Sequence, residues 1–265
     1  LNHKAEFVWI KDKFAYLIPI GDIHLGDSSF SDEAETKLRG YIKWIRSKSN
    51  ARVILMGDVF NVATRTSVTS PFQKLSLKEE MECALEIFKP IKDKIIGAID
   101  GNHEQRATDF LNYSPLIPFC HILGTKYFQY SAVFKFGVGV TNKGTTGKPR
   151  TAPKVMYLIF AHHTTGGGST VGGRINRVDK LRQILINADI YLGAHNHALI
   201  NAPVEGFICD KMSGNITRHR QHIIDCGSYL DWQGSYAEMK MYPPQKLGSP
   251  RIRLDGSRKD VHVSL

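Results

Sequence analysis

Five short segments of this chain carry side chains able to bind metal ions or move protons, and each follows an apolar run. Asp22-Ile23-His24 comes after residues 14–20, Gly57-Asp58 after 53–56, and Gly101-Asn102-His103 after 95–99. Ala161-His162-His163 closes the run 155–161, and Gly193-Ala194-His195-Asn196-His197 follows 190–192. If the backbone there is extended, residues two apart point the same way, so Asp22 and His24 reach one site together, as do His195 and His197. A mixture of carboxylate, carboxamide and imidazole donors suits Zn, Fe, Mn or Co better than Ca or Mg. Taken singly, an Asp-x-His is commonly a surface turn and a His-x-His a pair of exposed strand imidazoles. Five such segments at the ends of apolar runs carry more weight, because layered α/β folds gather ligand-binding groups in loops beyond the carboxyl ends of strands.

The elements that must position these groups follow from the hydrophobic pattern. Residues 14–20, 53–56 and 95–99 read as buried strands. The spacing predicts a helix starting at Asp32, with Glu35 placed to complete a capping box and Leu38, Tyr41, Ile42 and Ile45 facing a sheet. A second helix is signalled by the Ser76/Glu79 capping box, with Leu77, Met81, Ala84, Leu85 and Phe88 on one face and Pro90 ending it. Alternation of strand, loop and helix predicts a layered βαβ-type α/β fold. In the second half, 127–136, 155–161 and 190–192 read as strands, with one helix around Val178, Leu181 and Leu185. A hairpin is expected from 252–254 and 261–263 about Asp255-Gly256. The segment 143–154, rich in Gly, Thr, Pro and basic residues, reads as an exposed mobile loop.

Composition narrows the class. With 42% hydrophobic and 23% charged residues the chain is globular rather than disordered. No apolar run approaches the roughly 20 residues of a membrane helix. Cys83, Cys120, Cys209 and Cys226 form no CxxC pair, which argues against a thiolate zinc site and fits reduced thiols in an intracellular, cytoplasmic protein. The start Leu1-Asn2-His3-Lys4 has neither an initiator Met nor a signal pattern and reads as a processed or trimmed end. A net charge of +10 points towards a polyanionic partner, nucleic acid first among them, or towards a basic protein that attracts small phosphorylated substrates.

The ordered segments GDIHLGD, GDVFN, GNHEQR, AHH and AHNH resemble the calcineurin-like metallophosphoesterase superfamily, over residues 22–197. They are also similar to phage-encoded members, which often carry a glycine-rich segment after the fourth motif. The resemblance implies an α/β fold of two mixed β-sheets flanked by helices, here a single domain over 1–265 whose strands from about residue 200 complete or cap the second sheet. It implies two divalent metal ions, with manganese first and Fe, Zn, Co or Ni as alternatives. Asp22 and His24 would hold the first metal and Asp58 would bridge both. Asn102 and His195 would serve the second metal and His197 the first. His103 would sit beside the scissile phosphate without binding metal. The fourth motif leaves two candidates: position after the strand favours His162, and register with the glycine-rich segment favours His163. Ala194 stands where the family usually has Gly.

The implied activity is metal-assisted phosphate-ester hydrolysis. Two metals about 3.5–4 Å apart clamp a phosphoryl group and lower the pKa of a water, while His103 protonates the leaving oxygen. Asp58 and His103 are thus the expected catalytic residues. Arg106, Arg174 and Arg177 are candidate phosphate contacts, although arginines at a helix start are usually solvated. The run from Gly166 to Gly173 is able to wrap a phosphate but lacks the ending of a P-loop. Asn61 is placed to orient a ligand. Trp232, Tyr229 and Tyr236 either stack on bases or pack against the sheet. His3, His121, His219, His222 and His262 match no pattern and read as surface or core residues. Three functions follow: a nuclease or phosphodiesterase on nucleic acid, a phosphoesterase on a small metabolite, nucleotide or phosphoprotein, and a non-catalytic nucleic-acid-binding subunit. The filled ligand positions disfavour the third.

Overall fold

In the computed structural model, which describes residues 4–64, 67, 70–143, 150–168 and 170–265, alternating burial along the strands sets up the layers. The first half runs β1 (Glu6–Ile10), β2 (Phe14–Ile20), α1 (Asp32–Ser47), β3 (Ala51–Leu55), α2 (Leu77–Phe88), β4 (Ile95–Ala98), α3 (Asn102–Leu111) and α4 (Leu116–Leu123). Next come β5 (Ser131–Val138), the short pair β6 (Thr141–Lys143) and β7 (Arg150–Ala152), β8 (Val155–His162), α5 (Val171–Asp179) and β9 (Ile190–Gly193). The chain closes with β10 (Leu199–Cys209), β11 (Ile216–Cys226), α6 (Tyr236–Met239), β12 (Arg251–Asp255) and β13 (Val261–Ser264). One sheet has the order β1-β5-β8-β9-β11-β10 and the other β13-β12-β2-β3-β4.

The period of two in a strand sends neighbouring residues to opposite faces. On β2, Ala15 and Leu17 enter the core between the sheets, where they meet Ile54, Phe134, Phe136 and Ile159. Ile18 and Ile20 face the other way, towards Leu38 and Ile42 of α1, Ala84 and Phe88 of α2, and Phe119 of α4. A third cluster joins Phe160, Tyr191 and Ile223 of the six-stranded sheet to Val178 and Leu181. The result is a four-layer α/β/β/α stack, the architecture implied by the motif resemblance. Both sheets are mixed. β2, β3 and β4 run parallel, as do β8 and β9, and each of the two groups ends its strands in register. Five carboxyl ends therefore open at one end of the molecule, where the polar motifs begin.

Several local expectations need correction. Ser31, not Asp32, caps α1: its hydroxyl accepts from the Ala34 N–H, and Glu35 pairs with Arg39 at 2.6 Å instead of closing a capping box. The Ser76/Glu79 box on α2 forms in full, but its buried stripe is Glu80, Ala84, Ile87 and Phe88. Leu77, Met81 and Leu85 are only half-buried. β5 begins at Ser131, later than the expected 127. The C-terminal strands divide between the sheets: β10 and β11 extend the six-stranded one, β12 and β13 the five-stranded one. Within 143–154 the ends pair as β6 and β7, and residues 144–149 lie outside the described set. All four cysteines are free thiols. Among the described residues, no helix is long and apolar enough to cross a membrane.

Candidate metal centre

The loop after β2 is zipped to the loop after β3 by main-chain bonds. Asp22 N–H donates to Gly57 O at 3.1 Å, Ile23 and His24 N–H both donate to Asp58 O at 2.9 Å, and Leu25 N–H donates to Val59 O at 3.0 Å. This ladder forces an unusual backbone. Asp22, His24, Asp58, His195 and His197 all have φ between 48° and 79°. The expected extended backbone at Asp22 and His24, and at His195 and His197, is therefore wrong. Convergence comes instead from left-handed kinks, which Asp and His tolerate better than most residues. Such conformations cost about 1–3 kcal/mol each and persist where surrounding contacts over-determine them. Close approach also fixes Gly101, where a Cβ would sit 2.0 Å from Asp58 Oδ1.

The kinks bring the donor atoms into three sets: Asp22, His24 and His197; Asp58, His163 and His195; and His24, Asp58 and His103, which shares a residue with each of the first two. In the first, His24 Nε2 lies 3.3 Å from His197 Nε2, and His197 Nε2 lies 3.7 Å from Asp22 Oδ1. In the second, His163 Nε2 is 3.2 Å from Asp58 Oδ2 and 3.2 Å from Asn102 Oδ1, which is 2.6 Å from His195 Nδ1. Asp58 Oδ2 also approaches His24 Nε2 at 3.7 Å, so one carboxylate faces both of the first two sets. Ligand atoms bound at about 2.0–2.2 Å around one tetrahedral ion lie roughly 3.3–3.6 Å from each other. Most of these separations are near that edge length.

Neighbouring groups fix the orientation of the donors. His163 Nδ1 donates to Met56 O at 2.6 Å, which leaves Nε2 as the lone pair aimed inward. His162 turns away: its Nδ1 accepts from the Thr164 N–H at 2.7 Å. Geometry thus separates the two histidines that the sequence left open. Asp22 Oδ2 accepts from His195 N–H at 2.8 Å, while its buried Oδ1 has no hydrogen-bond partner. An orphaned buried carboxylate oxygen facing imidazole nitrogens is the environment a cation would satisfy.

The electrostatics agree. Burial, reinforced by Asp58, pushes Asp22 up to about 7. Asp58 is fully buried yet held well below the usual carboxylate range by His163 and His103. Burial lowers His24 well below the ordinary imidazole value and His197 to about 3. His163 overcomes burial through Asp58 and Asp22 and rises to about 10. In the absence of metal the cluster draws in a proton to balance its buried carboxylates. The residues present fit divalent ions: nitrogen and oxygen donors with no thiolate.

Two buried carboxylates brace the centre, and neither was read from the sequence. Glu104 accepts from Asp58 N–H at 2.8 Å, Gly101 N–H at 2.9 Å and Phe60 N–H at 3.0 Å. Glu80 accepts from Asn61 N–H at 2.7 Å. The signal available was an acidic residue on the inward side of a helix. Asn61 supports the site through its carbonyl, which accepts from His103 Nδ1 at 2.6 Å. His103 packs edge-on to His24 with ring centroids 4.3 Å apart, and its Nε2 accepts from Arg106 at 2.9 Å.

A cleft of about 340 Å³ opens over these groups. Arg106 and Arg174 line it, and Arg174 is buried with its Nε donating to Gly168 O at 2.9 Å. Arg177 is not among the lining residues; its guanidinium lies against Gly166. Gly167 and Gly168 form part of the rim, and Ser169 of that glycine-rich run lies outside the described residues. Tyr229 is wholly buried in the core beside α1, whereas Trp232 and Tyr236 line the cleft. His222 is buried, His219 pairs with Asp189 at 3.0 Å, and His3 lies outside the described residues.

No family model matches the chain, and no curated protein matches it significantly. Among solved structures it is similar to an uncharacterized Streptococcus pneumoniae protein described as a predicted phosphoesterase, at 15% identity and a TM-score of 0.37, covering 94% of this chain and 88% of that one. Similarity to the NAD nucleotidase of Haemophilus influenzae is 10% in identity with a TM-score of 0.41, over 95% of this chain and 49% of that protein. The calcineurin-like phosphoesterase YfkN of Bacillus subtilis aligns at 10% identity and a TM-score of 0.29, over 80% of this chain and 90% of that one.

Proposed function

We propose that this chain is a metal-dependent phosphoric-ester hydrolase of the calcineurin-like type that cleaves phosphodiester bonds in nucleic acid. The observation that carries the reading is the convergence of two nitrogen and oxygen donor sets on the shared carboxylate of Asp58. Asp22, His24 and His197 would hold one ion, Asn102, His163 and His195 the other, and Asp58 both. Metals bound there supply Lewis acidity towards phosphoryl oxygens and lower the pKa of water, and manganese suits this donor set.

The remaining work falls to the chain itself. His103 is tethered through Nδ1 to Asn61 O, which aims Nε2 into the cleft. Burial and Arg106 hold its pKa below the ordinary value, so the free ring is neutral at pH 7. An arriving phosphate favours the protonated ring by its negative charge. Arg106 is placed to transfer its hydrogen bond from His103 to a phosphate oxygen, freeing Nε2 to take up a proton from solvent and pass it to the leaving oxygen. Arg174 adds positive charge to the cleft lining. Nucleic acid is favoured as substrate by the net charge of +10 and by these arginines at the cleft.

The test is hydrolysis of bis-p-nitrophenyl phosphate beside labelled single- and double-stranded DNA, each with Mn²⁺ and with chelator. Mn²⁺-dependent DNA cleavage that disappears in Asp58→Asn is the expected result. Turnover of the small ester alone would move the substrate to a small phosphodiester, and no turnover of either would overturn the enzyme reading.

A further inference from the structure

The segment after β11 arches back over the metal centre and carries three aromatic rings. It is tied to the loop that bears Asp22 and His24: Tyr229 N–H donates to Asp22 O at 3.0 Å, Asp231 N–H donates to Ser29 O at 2.8 Å, and the Ser31 hydroxyl donates to the Asp231 carboxylate. Beyond this anchor, Trp232, Tyr236 and Tyr242 line the cleft. Trp232 Nε1–H donates to Tyr242 O, and the two tyrosine rings meet edge-on with centroids 6.5 Å apart. Ser235 caps the short α6 between them and donates its hydroxyl to Trp232 O at 2.6 Å. The three rings belong to none of the hydrophobic clusters of the described residues. Lys240 lies over the Tyr236 ring at 5.7 Å.

Large rings usually bury their faces in a core. Here the Trp232 indole is held by its hydrogen bond to Tyr242 O and the two tyrosine rings by their edge-on contact, and all three line a cleft shared with His24, Asp58 and His195. The cavity, about 340 Å³, is at the small end of ligand pockets, which run about 300–1,000 Å³. It has room for one nucleotide-sized group. From these observations, and resting on the phosphoesterase reading above, we infer that the Trp232–Tyr242 cap is a ring-stacking slot that selects phosphoesters carrying an unpaired nucleobase next to the scissile phosphate. Bases inside a duplex have both faces occupied and must be unstacked before a slot can take them. The substrate is then a single-stranded segment or a free nucleotide ester rather than intact double-stranded DNA.

The experiment compares a short single-stranded thymidine oligonucleotide with one of equal length and charge whose sugars are abasic, and with a blunt duplex. Binding is read by fluorescence anisotropy with chelator present, and hydrolysis is followed separately with Mn²⁺. Stacking on one aromatic side chain corresponds to roughly 5- to 150-fold in affinity. The thymidine strand should therefore bind at least about 10-fold tighter than the abasic strand. Trp232→Ala and Tyr236→Ala should narrow that gap, Trp232→Phe should keep most of it, and the duplex should bind more weakly than the single strand. Equal binding of thymidine and abasic strands, a duplex bound as well as the single strand, or an alanine variant that weakens both strands equally would overturn the slot. Base-dependent binding without any hydrolysis would leave the slot standing and sink the phosphoesterase reading. Equal hydrolysis of both strands would do the reverse.

Discussion

In the ligand pocket Asp22, His24, Asp58 and His163 are nearly sealed from solvent and held by a ladder of backbone bonds, whereas Tyr242 of the cap is 39% exposed and its neighbours are only half-buried. The pocket concentrates left-handed residues, buried carboxylates and an orphaned oxygen, features that cost free energy and survive because the surrounding loops leave no alternative. The cap carries less of this strain, with Met241 at φ 56° its one left-handed non-glycine residue, and a few hydrogen bonds fix three rings at the rim. Chemistry is thus lodged in the part of the molecule least able to vary, and ring recognition in a part that can change without disturbing it. Such a division predicts that variants in the two regions fail differently.

The largest separable effect belongs to His103, which lies in the pocket beside His24 and Asp58 and is proposed above as the general acid rather than a ligand. His103→Ala should lower kcat by about 10²–10⁴, the range for loss of a general acid. Metal content by plasma emission spectroscopy should stay at the wild-type level. Full activity would remove the acid role, and loss of metal would move His103 into the ligand set, where its contact with His24 already places it nearby.

Next in size is Glu104, whose two oxygens accept three backbone N–H groups from the loops bearing Asp58 and Gly101. Glu104→Gln presents an NH₂ where one oxygen stood, so at least one N–H faces a donor. Calorimetric titration should show metal affinity reduced by about 10–100-fold, the usual cost of disturbing a ligand's supporting group. Chemical denaturation should show a stability loss of about 1–3 kcal/mol. A variant with wild-type affinity would mean that the backbone ladder alone holds Asp58, and the contrast between pocket and cap would weaken.

Much of the pocket and little of the cap was legible in the sequence, for a physical reason. Asp22, Asp58 and Asn102 each follow an apolar run that can only be a buried strand, so their common edge followed from alternation alone. The left-handed kinks did not follow, because nothing local favours φ of 49° at Asp22 or 55° at His197. Those angles come from contacts between loops far apart in sequence. Glu80 and Glu104 drew no reading because a single helix cannot reveal which loop folds over it. The choice between His162 and His163 hung on a one-residue register in β8, set by pairing with β5 and β9. The strands expected from about residue 200 carried no bounds, because Pro203, Glu205 and Gly206 break the apolar alternation of β10, which is ordered by pairing with β11, itself set against β9. Trp232 and Tyr236 looked like core aromatics, and only the return of the chain over Asp22 puts them at the cleft.

The smallest effect provides the sharpest control. Trp232 and Tyr236 belong to none of the hydrophobic clusters of the described residues, so Trp232→Ala and Tyr236→Ala should change metal-free stability by no more than about 0.5 kcal/mol, as for most surface substitutions. Metal present at 100 times its Kd stabilises the folded state by about 2.7 kcal/mol. That increment, read as the rise in Tm on adding Mn²⁺, should be the same in wild type and in both cap variants. The cap is joined to the pocket loop through its anchor, where Asp231 N–H donates to Ser29 O and, nearest the ligands, Tyr229 N–H donates to Asp22 O. If removing the Trp232 ring loosened that bond, Asp22 would lose orientation and the Mn²⁺-dependent rise in Tm would shrink together with base selectivity. An unchanged rise with reduced selectivity instead requires that the anchor at Tyr229 and Asp231 holds without the ring, and that the two regions are independent in energy as well as in burial.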